Sequence, residues 1–258
     1  MALPGEVTNP QALDAREVSF ASNGDLLEGY LARPRAAGNY AGLIVVHEIF
    51  GVNEHIRDVT RRFANAGFIA LAPNLFSRAG KVDLSEMETA RAIAFSVTDA
   101  QVVRDLEAAA AFLRTQPGAT GKVGCIGFCF GGREALLFAC NSDKLDAAID
   151  CWGGFLTSAT PSEKTTAARP KPVMEMVERL SCPLLAVFGA EDQNPSPADA
   201  AELRARLEKA GKNFTVKVFE NAGHAFFADY RPQYREAAAF ELWRDAIAFL
   251  REHLSART

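Results

Sequence analysis

Three features of the sequence predict an α/β fold, with a mostly parallel central sheet and helices on both of its faces. Short apolar runs of strand length alternate with helical stripes along most of the chain. The first such run is nearly continuously apolar, as a strand covered on both faces should be. An Asn-Gly pair between loosely alternating segments near the start predicts a hairpin, which adds antiparallel strands at one edge.

The elements follow in order. Residues 16–34 carry Val18 and Phe20, then Asn23-Gly24-Asp25, then Leu27 and Tyr30, and form the hairpin. Residues 42–47 are the first parallel strand. Ile56, Val59 and Phe63 mark one face of a helix over 53–66, which Gly67 stops. Phe68 to Leu71 is the next strand, closed by Ala72-Pro73. Val102, Leu106, Ala109, Ala110 and Leu113 stripe a helix. Lys122 to Ile126 is a strand, followed by a Gly-rich turn and a helix from Phe130 to Cys140. Further strands run over 145–151, 183–188 and 214–219, with a helix near 197–210. Phe240, Trp243, Ile247, Leu250 and Leu254 stripe the final helix. Residues 155–179 hold Pro161, Pro170 and Pro172 among Ser, Thr and Lys. They read as a surface excursion, a lid or the rim of a pocket. No linker divides the chain, so residues 1–258 are expected to form one domain.

Composition narrows the function classes. The chain has 258 residues, 48% hydrophobic and 23% charged, enough to bury a core without disulfides or metals. A net charge of −4 supplies no basic excess for nucleic acid. Five cysteines in a chain of this length argue against a disulfide scaffold and for a reducing cytoplasm. No secretory leader and no run of membrane-spanning length is visible, so no membrane association is expected. The oligomeric state is left open.

Chemistry is sought where the strands end, because ligands of such sheets bind beyond their carboxyl ends. After the strand ending at Ile126 comes Gly127-Phe128-Cys129-Phe130-Gly131-Gly132, the thiol version of a G-x-S-x-G nucleophile turn. The tight turn demands small neighbours. The helix that starts at Phe130 aims its N–H groups and positive dipole end at the tip, which favours a thiolate and an oxyanion. After Phe188 comes Gly189-Ala190-Glu191-Asp192, in which either Asp192 or Glu191 can orient a histidine. After Phe219 comes Asn221-Ala222-Gly223-His224. Nucleophile, acid, histidine is the chain order of α/β-hydrolases. Taken singly, each has a bland reading: a buried small residue, an Asx-turn, a loop histidine. Their order makes them a triad.

The combination resembles the dienelactone hydrolases (carboxymethylenebutenolidases), from about residue 16 to 254. Val46-His47-Glu48-Ile49-Phe50-Gly51-Val52-Asn53 is similar to that family's E-I-F-G-x-N segment, and Gly127 to Gly132 to its G-x-C-x-G-G turn. The acid and histidine loops match as well. The resemblance implies a cysteine-dependent hydrolase that opens a lactone or ester through an acyl-enzyme. Cys129 would be the nucleophile, His224 the base and Asp192 its orienting partner. Glu48 would be the extra carboxylate that takes the thiol proton, with the Ile49 and Phe130 N–H groups as the oxyanion hole. A carboxylate at the end of an apolar strand is costly without a partner, which agrees with a special role for Glu48. His47 is a second candidate base, placed by alternation on the opposite face.

Substrate recognition departs from the family. Its substrates carry a carboxylate held by two arginines, whose places fall here on Met87 and Ala228. Arg78, Arg91 and Arg231 are the candidate replacements, with Phe50 and Trp152 as further substrate-binding residues. Neither cofactor nor metal is expected; His47-Glu48-Ile49-Phe50-Gly51 lacks the second histidine of a zinc helix. The close alternative is another carboxylester or thioester hydrolase of this fold. The non-enzymatic alternatives are a thiol redox protein and a binding module. A Cys125–Cys129 disulfide is opposed by a strand separation of roughly 12 Å against the ~7 Å such a bond tolerates.

Overall fold

The computed structural model describes residues 2–80, 82–157 and 165–255. Among these, β1 (Leu13–Ser22) and β2 (Asp25–Pro34) form the expected hairpin, turned by Asn23 and Gly24, both at positive φ. β2 pairs antiparallel with β4 (Phe68–Pro73). β4, β3 (Tyr40–Val46), β5 (Ala119–Phe128), β6 (Ala147–Cys151), β7 (Leu184–Gly189) and β8 (Phe214–Phe219) are parallel, giving the sheet order β1-β2-β4-β3-β5-β6-β7-β8. β3 and β5, which lead to Glu48 and Cys129, are neighbours in mid-sheet, with Val46 opposite Gly127.

Helices α1 (Glu54–Asn65) and α6 (Glu236–Leu254) cover one face. The other carries α2 (Met87–Ser96), α3 (Asp99–Arg114), α4 (Phe130–Asn141) and α5 (Pro197–Lys209). The alternation of β3 divides its side chains between the two layers. Leu43 and Val45 join the α1/α6 layer, Ile44 and Val46 the other. The Asn53 side chain caps α1 by accepting from the Ile56 N–H at 3.1 Å, which fixes the chain just after Glu48–Val52.

Two expectations need correction, and one helix was not foreseen. On α6, Ile247, Leu250 and Leu254 are buried as expected, but the rest of the buried stripe is Ala238, Ala239, Leu242 and Ala246, and Phe240 is exposed. Small alanines fit the close approach of α6 to the sheet, so ring size misled the reading. Residues 87–96 form a helix that weak periodicity concealed. The described parts of the 155–179 segment are exposed over 165–167 and 170–171 but return to the core afterwards. Val173, Met174 and Val177 are buried in the core, and Arg169 is buried with its Nη2 donating to the Ala94 carbonyl at 2.7 Å. Residues 158–164 of that segment lie outside the described residues.

Candidate active site

The turn after β5 is built by close backbone contact. Cys129 sits at φ 56°, ψ −116°, a conformation that a non-glycine residue adopts at a cost of about 1–3 kcal/mol. The glycines around it are sterically required. A Cβ on Gly127 would lie 1.8 Å from the Gly131 carbonyl oxygen, and one on Gly131 would lie 2.3 Å from that of Val46. The second contact presses the start of α4 against the end of β3 and brings the Phe130 and Ile49 backbones to the same corner. The Phe130 N–H opens α4 and has no intrahelical acceptor. Ile49 lies beyond the last ladder residue of β3.

The acid and histidine loops meet for the same kind of reason. A Cβ on Gly189 would lie 2.4 Å from the Ala222 carbonyl oxygen, so the loops after β7 and β8 can touch only because residue 189 has none. The Ala190 and Glu191 N–H groups donate across the gap to Phe219 and Ala222 at 3.0 and 2.9 Å. Asp192 is thereby buried, its Oδ2 2.8 Å from His224 Nδ1. Its Oδ1 accepts from the Asn194 N–H at 3.0 Å. Glu191 is exposed. Of the two acids left open by the sequence, the structure brings Asp192 to the histidine.

The electrostatics tie His224 to Cys129. Burial alone would lower the imidazole, but negative charge on the Cys129 sulfur, hydrogen bonds donated to both neighbours and the Asp192 carboxylate outweigh it. His224 is raised from 6.5 to about 10. Cys129 also stands apart from the other four cysteines, which are buried. Burial pushes the thiols of Cys140 and Cys182 up to about 12 and that of Cys125 higher still, so these stay neutral. None of the five is disulfide-bonded.

His47 is the opposite case. Its Nδ1 lies 2.6 Å from the Glu48 carbonyl oxygen, and its Nε2 accepts from the Leu75 N–H at 3.2 Å. These partners place the single ring proton on Nδ1. Burial lowers the group to about 4, and the Glu48 carbonyl only partly offsets this. Packed against Phe76 and Phe130, it is a neutral spacer. The alternation argument does not reach it, because β3 ends at Val46.

Glu48 is 3% exposed and lies where two residues from one loop converge. Tyr230 donates to its Oε2 at 3.5 Å, and Arg231 Nη1 lies 3.9 Å from its Oε1. The Arg231 guanidinium stacks 4.6 Å above Phe50 and 5.3 Å from the Tyr230 ring. A cleft of about 900 Å³ opens at Phe50, Tyr230 and Arg231 and runs between the β1–β2 hairpin and residues 79–80 and 82–85. Cys129 and His224 are not on its walls. Phe76, which lines it, has its ring 5.4 Å from that of Phe130, the residue after Cys129.

The expected substrate-binding residues separate here. Phe50 and Arg231 line the cleft. Arg78 is spent on Asp105, through bonds of 2.7 and 3.0 Å, and on Asp25 at 2.6 Å. Arg91 is exposed on α2 and does not line the cleft. Trp152 is core: it is 1% exposed, with its ring 4.6 Å from Phe226 and 5.8 Å from Phe128. Tyr230 is the residue that sequence reasoning missed. No motif marks it, and its adjacency to Arg231 was the sole signal.

The dienelactone hydrolase family model matches residues 27–254. The chain belongs to the dienelactone hydrolase family. A Methylorubrum extorquens protein assigned by name as a carboxymethylenebutenolidase is 35% identical, over 95% of this chain and 84% of its own length. An Escherichia coli K12 protein assigned the same name is 36% identical, over 95% and 90%. A Bradyrhizobium protein assigned as a 2-oxo-3-(5-oxofuran-2-ylidene)propanoate lactonase is 30% identical, over 92% and 94%. Among solved structures, a Klebsiella pneumoniae protein assigned as a dienelactone hydrolase superposes with a TM-score of 0.85 at 34% identity, covering 92% of this chain and 98% of that one. The Pyrococcus horikoshii acylaminoacyl peptidase, at 18% identity and a TM-score of 0.72, shares the fold. This dienelactone hydrolase homologue therefore has the α/β-hydrolase fold and is a hydrolase of carboxylic esters or lactones. No described helix is long and apolar enough to cross a membrane.

Proposed function

We propose that this family member opens its lactone or ester by covalent thiol catalysis at Cys129. The observation that carries the reading is the chain Asp192–His224–Cys129. A 2.8 Å carboxylate–imidazole bond holds His224, whose pKa the Cys129 sulfur and Asp192 raise against the effect of burial, beside a turn whose glycines have no room for a Cβ.

The Cys129 sulfur attacks the carbonyl carbon, and the C=O pair moves to oxygen. The Phe130 and Ile49 N–H groups stabilise that oxyanion. As the tetrahedral species collapses, the carbon–oxygen bond to the leaving alkoxide breaks, and the His224 imidazolium gives it a proton. In a lactone, the alkoxide stays attached to the acyl chain. Water then adds to the thioester while neutral His224 takes its proton. The second collapse releases the carboxylic acid and restores the thiolate–imidazolium pair. Asp192 keeps His224 in the tautomer that faces sulfur. Glu48, two residues before Phe50 in the cleft wall, is the further carboxylate of the site, within reach of Tyr230 and Arg231.

Intact-protein mass spectrometry during turnover of a 4-nitrophenyl ester should show one added acyl group, lost in Cys129→Ala. That variant should fall by about 10³-fold or more in kcat/KM. Undiminished hydrolysis by folded Cys129→Ala would remove the covalent mechanism.

A further inference from the structure

We infer that the cleft selects an uncharged ester or lactone with an apolar body and discriminates against one that carries a carboxylate into it. This rests on the hydrolase reading above and names its substrate class. Among the described residues, carboxylates outnumber cations around the cleft. Glu17, Glu28 and Asp83 line it, and Glu48 lies under its inner end. The facing cations are Arg57 and Arg231.

Neither cation is at liberty. Arg57 pairs with Glu17, donates from Nε to the Val52 carbonyl at 3.3 Å and lies 5.0 Å over the Tyr30 ring. Arg231 is sandwiched by Phe50 and Tyr230 and within ion-pair range of Glu48. Recruiting either guanidinium to a substrate carboxylate would strip a carboxylate of its partner. Among the described residues no cation pairs with Glu28 or Asp83. Asp83 accepts from the Ser85 N–H at 2.9 Å, which favours its charged form.

The rest of the wall is apolar. Phe50, Val52, Phe76, Leu84 and Ile93 line it, and Val82 and Tyr230 stand exposed at its mouth. Exposed large apolar side chains around a concavity mark a surface that binds apolar ligand. The positions where the family's two arginines would fall are an exposed Met87 and a buried Ala228. The described wall thus offers an apolar body a place to lie and meets an anion with Glu28 and Asp83, which pair with no cation among the described residues.

The test compares 4-nitrophenyl valerate with 4-nitrophenyl hydrogen glutarate, which is of similar length and ends in a carboxylate. The neutral ester should be preferred at least tenfold in kcat/KM at low ionic strength. Salt should compress that ratio as screening weakens the repulsion. Glu17→Gln frees Arg57, and should move the ratio about three- to tenfold toward the glutarate. Equal or faster cleavage of the glutarate overturns the inference, and so does a ratio indifferent to both salt and Glu17→Gln. If neither ester is turned over, the hydrolase mechanism fails. Ligand-observed NMR then decides the charge preference separately: tighter binding of glutaramate than of valeramide overturns it.

Discussion

The turn that carries Cys129 and the cleft that opens beside Glu48 are adjacent, yet they are built by different means. The turn is packed backbone to backbone. Gly127, Gly131 and Gly189 each lie against a carbonyl that a single methyl group would strike. The cleft is packed side chain to side chain. Gly51 illustrates it, since a Cβ there would meet side chains alone, the Leu84 methyl at 2.8 Å and the Phe76 ring at 3.8 Å. Backbone contact permits one geometry, whereas side-chain contact can be re-cut without moving the sheet. The proposed reacting atoms are therefore rigidly placed, and the proposed substrate surface is free to vary.

The strongest way to break this contrast is one added methyl group on each side. Gly131→Ala must drive apart the end of β3 and the start of α4. The expected loss exceeds about 4 kcal/mol, a fall of roughly 10 °C or more in Tm, or no soluble protein. Gly51→Ala pays only for its φ of 68° and a shift of Leu84, about 1–2 kcal/mol, and should change KM more than kcat. Similar melting temperatures for the two variants, read by scanning calorimetry, would dissolve the distinction.

The next effect falls within the catalytic half. Asp192→Asn keeps the shape but loses the charge that raises His224, and should lower kcat by about 10²–10⁴-fold. Glu191→Gln alters an exposed carboxylate one residue away and should stay within about twofold. Steady-state kinetics on one ester compares them directly, and a larger loss in the Glu191 variant would reassign the acid.

The same division explains what could be read from the sequence. The turns that carry Cys129 and His224 are legible because backbone-packed turns demand particular residues, and glycines at fixed offsets are visible in a string of letters. The hairpin is legible for the same reason, at Asn23-Gly24. Burial is what separates Asp192 from Glu191, and no pattern in four loop residues encodes it. Arg78, Arg91 and Trp152 were expected at the substrate, but Arg78 is drawn 27 positions along the chain to Asp105 and Trp152 is drawn into the core. Long side chains choose partners by tertiary position. Tyr230 stayed unseen because its meaning comes from a carboxylate 182 positions away.

The smallest expected effect concerns the proton that links the two halves of the catalytic chain. His224 titrates near 10 because sulfur charge and Asp192 outweigh burial, against 6.5 for a free imidazole. Its folded form is thus raised above the unfolded one. The stability this contributes is complete below about pH 6.5 and is lost as pH rises through 10. The His224 side chain is 35% exposed, so water screens part of that contribution. Cys129→Ala removes the sulfur charge. The His224 ring resonance, followed by proton NMR, should then titrate at lower pH than in the native chain. The melting temperature of the native chain should also exceed that of the variant by more at pH 7 than at pH 10.5, by only a few degrees. An unchanged His224 titration in Cys129→Ala would mean that Asp192 alone holds the proton, and the thiolate–imidazolium pair would lose its support.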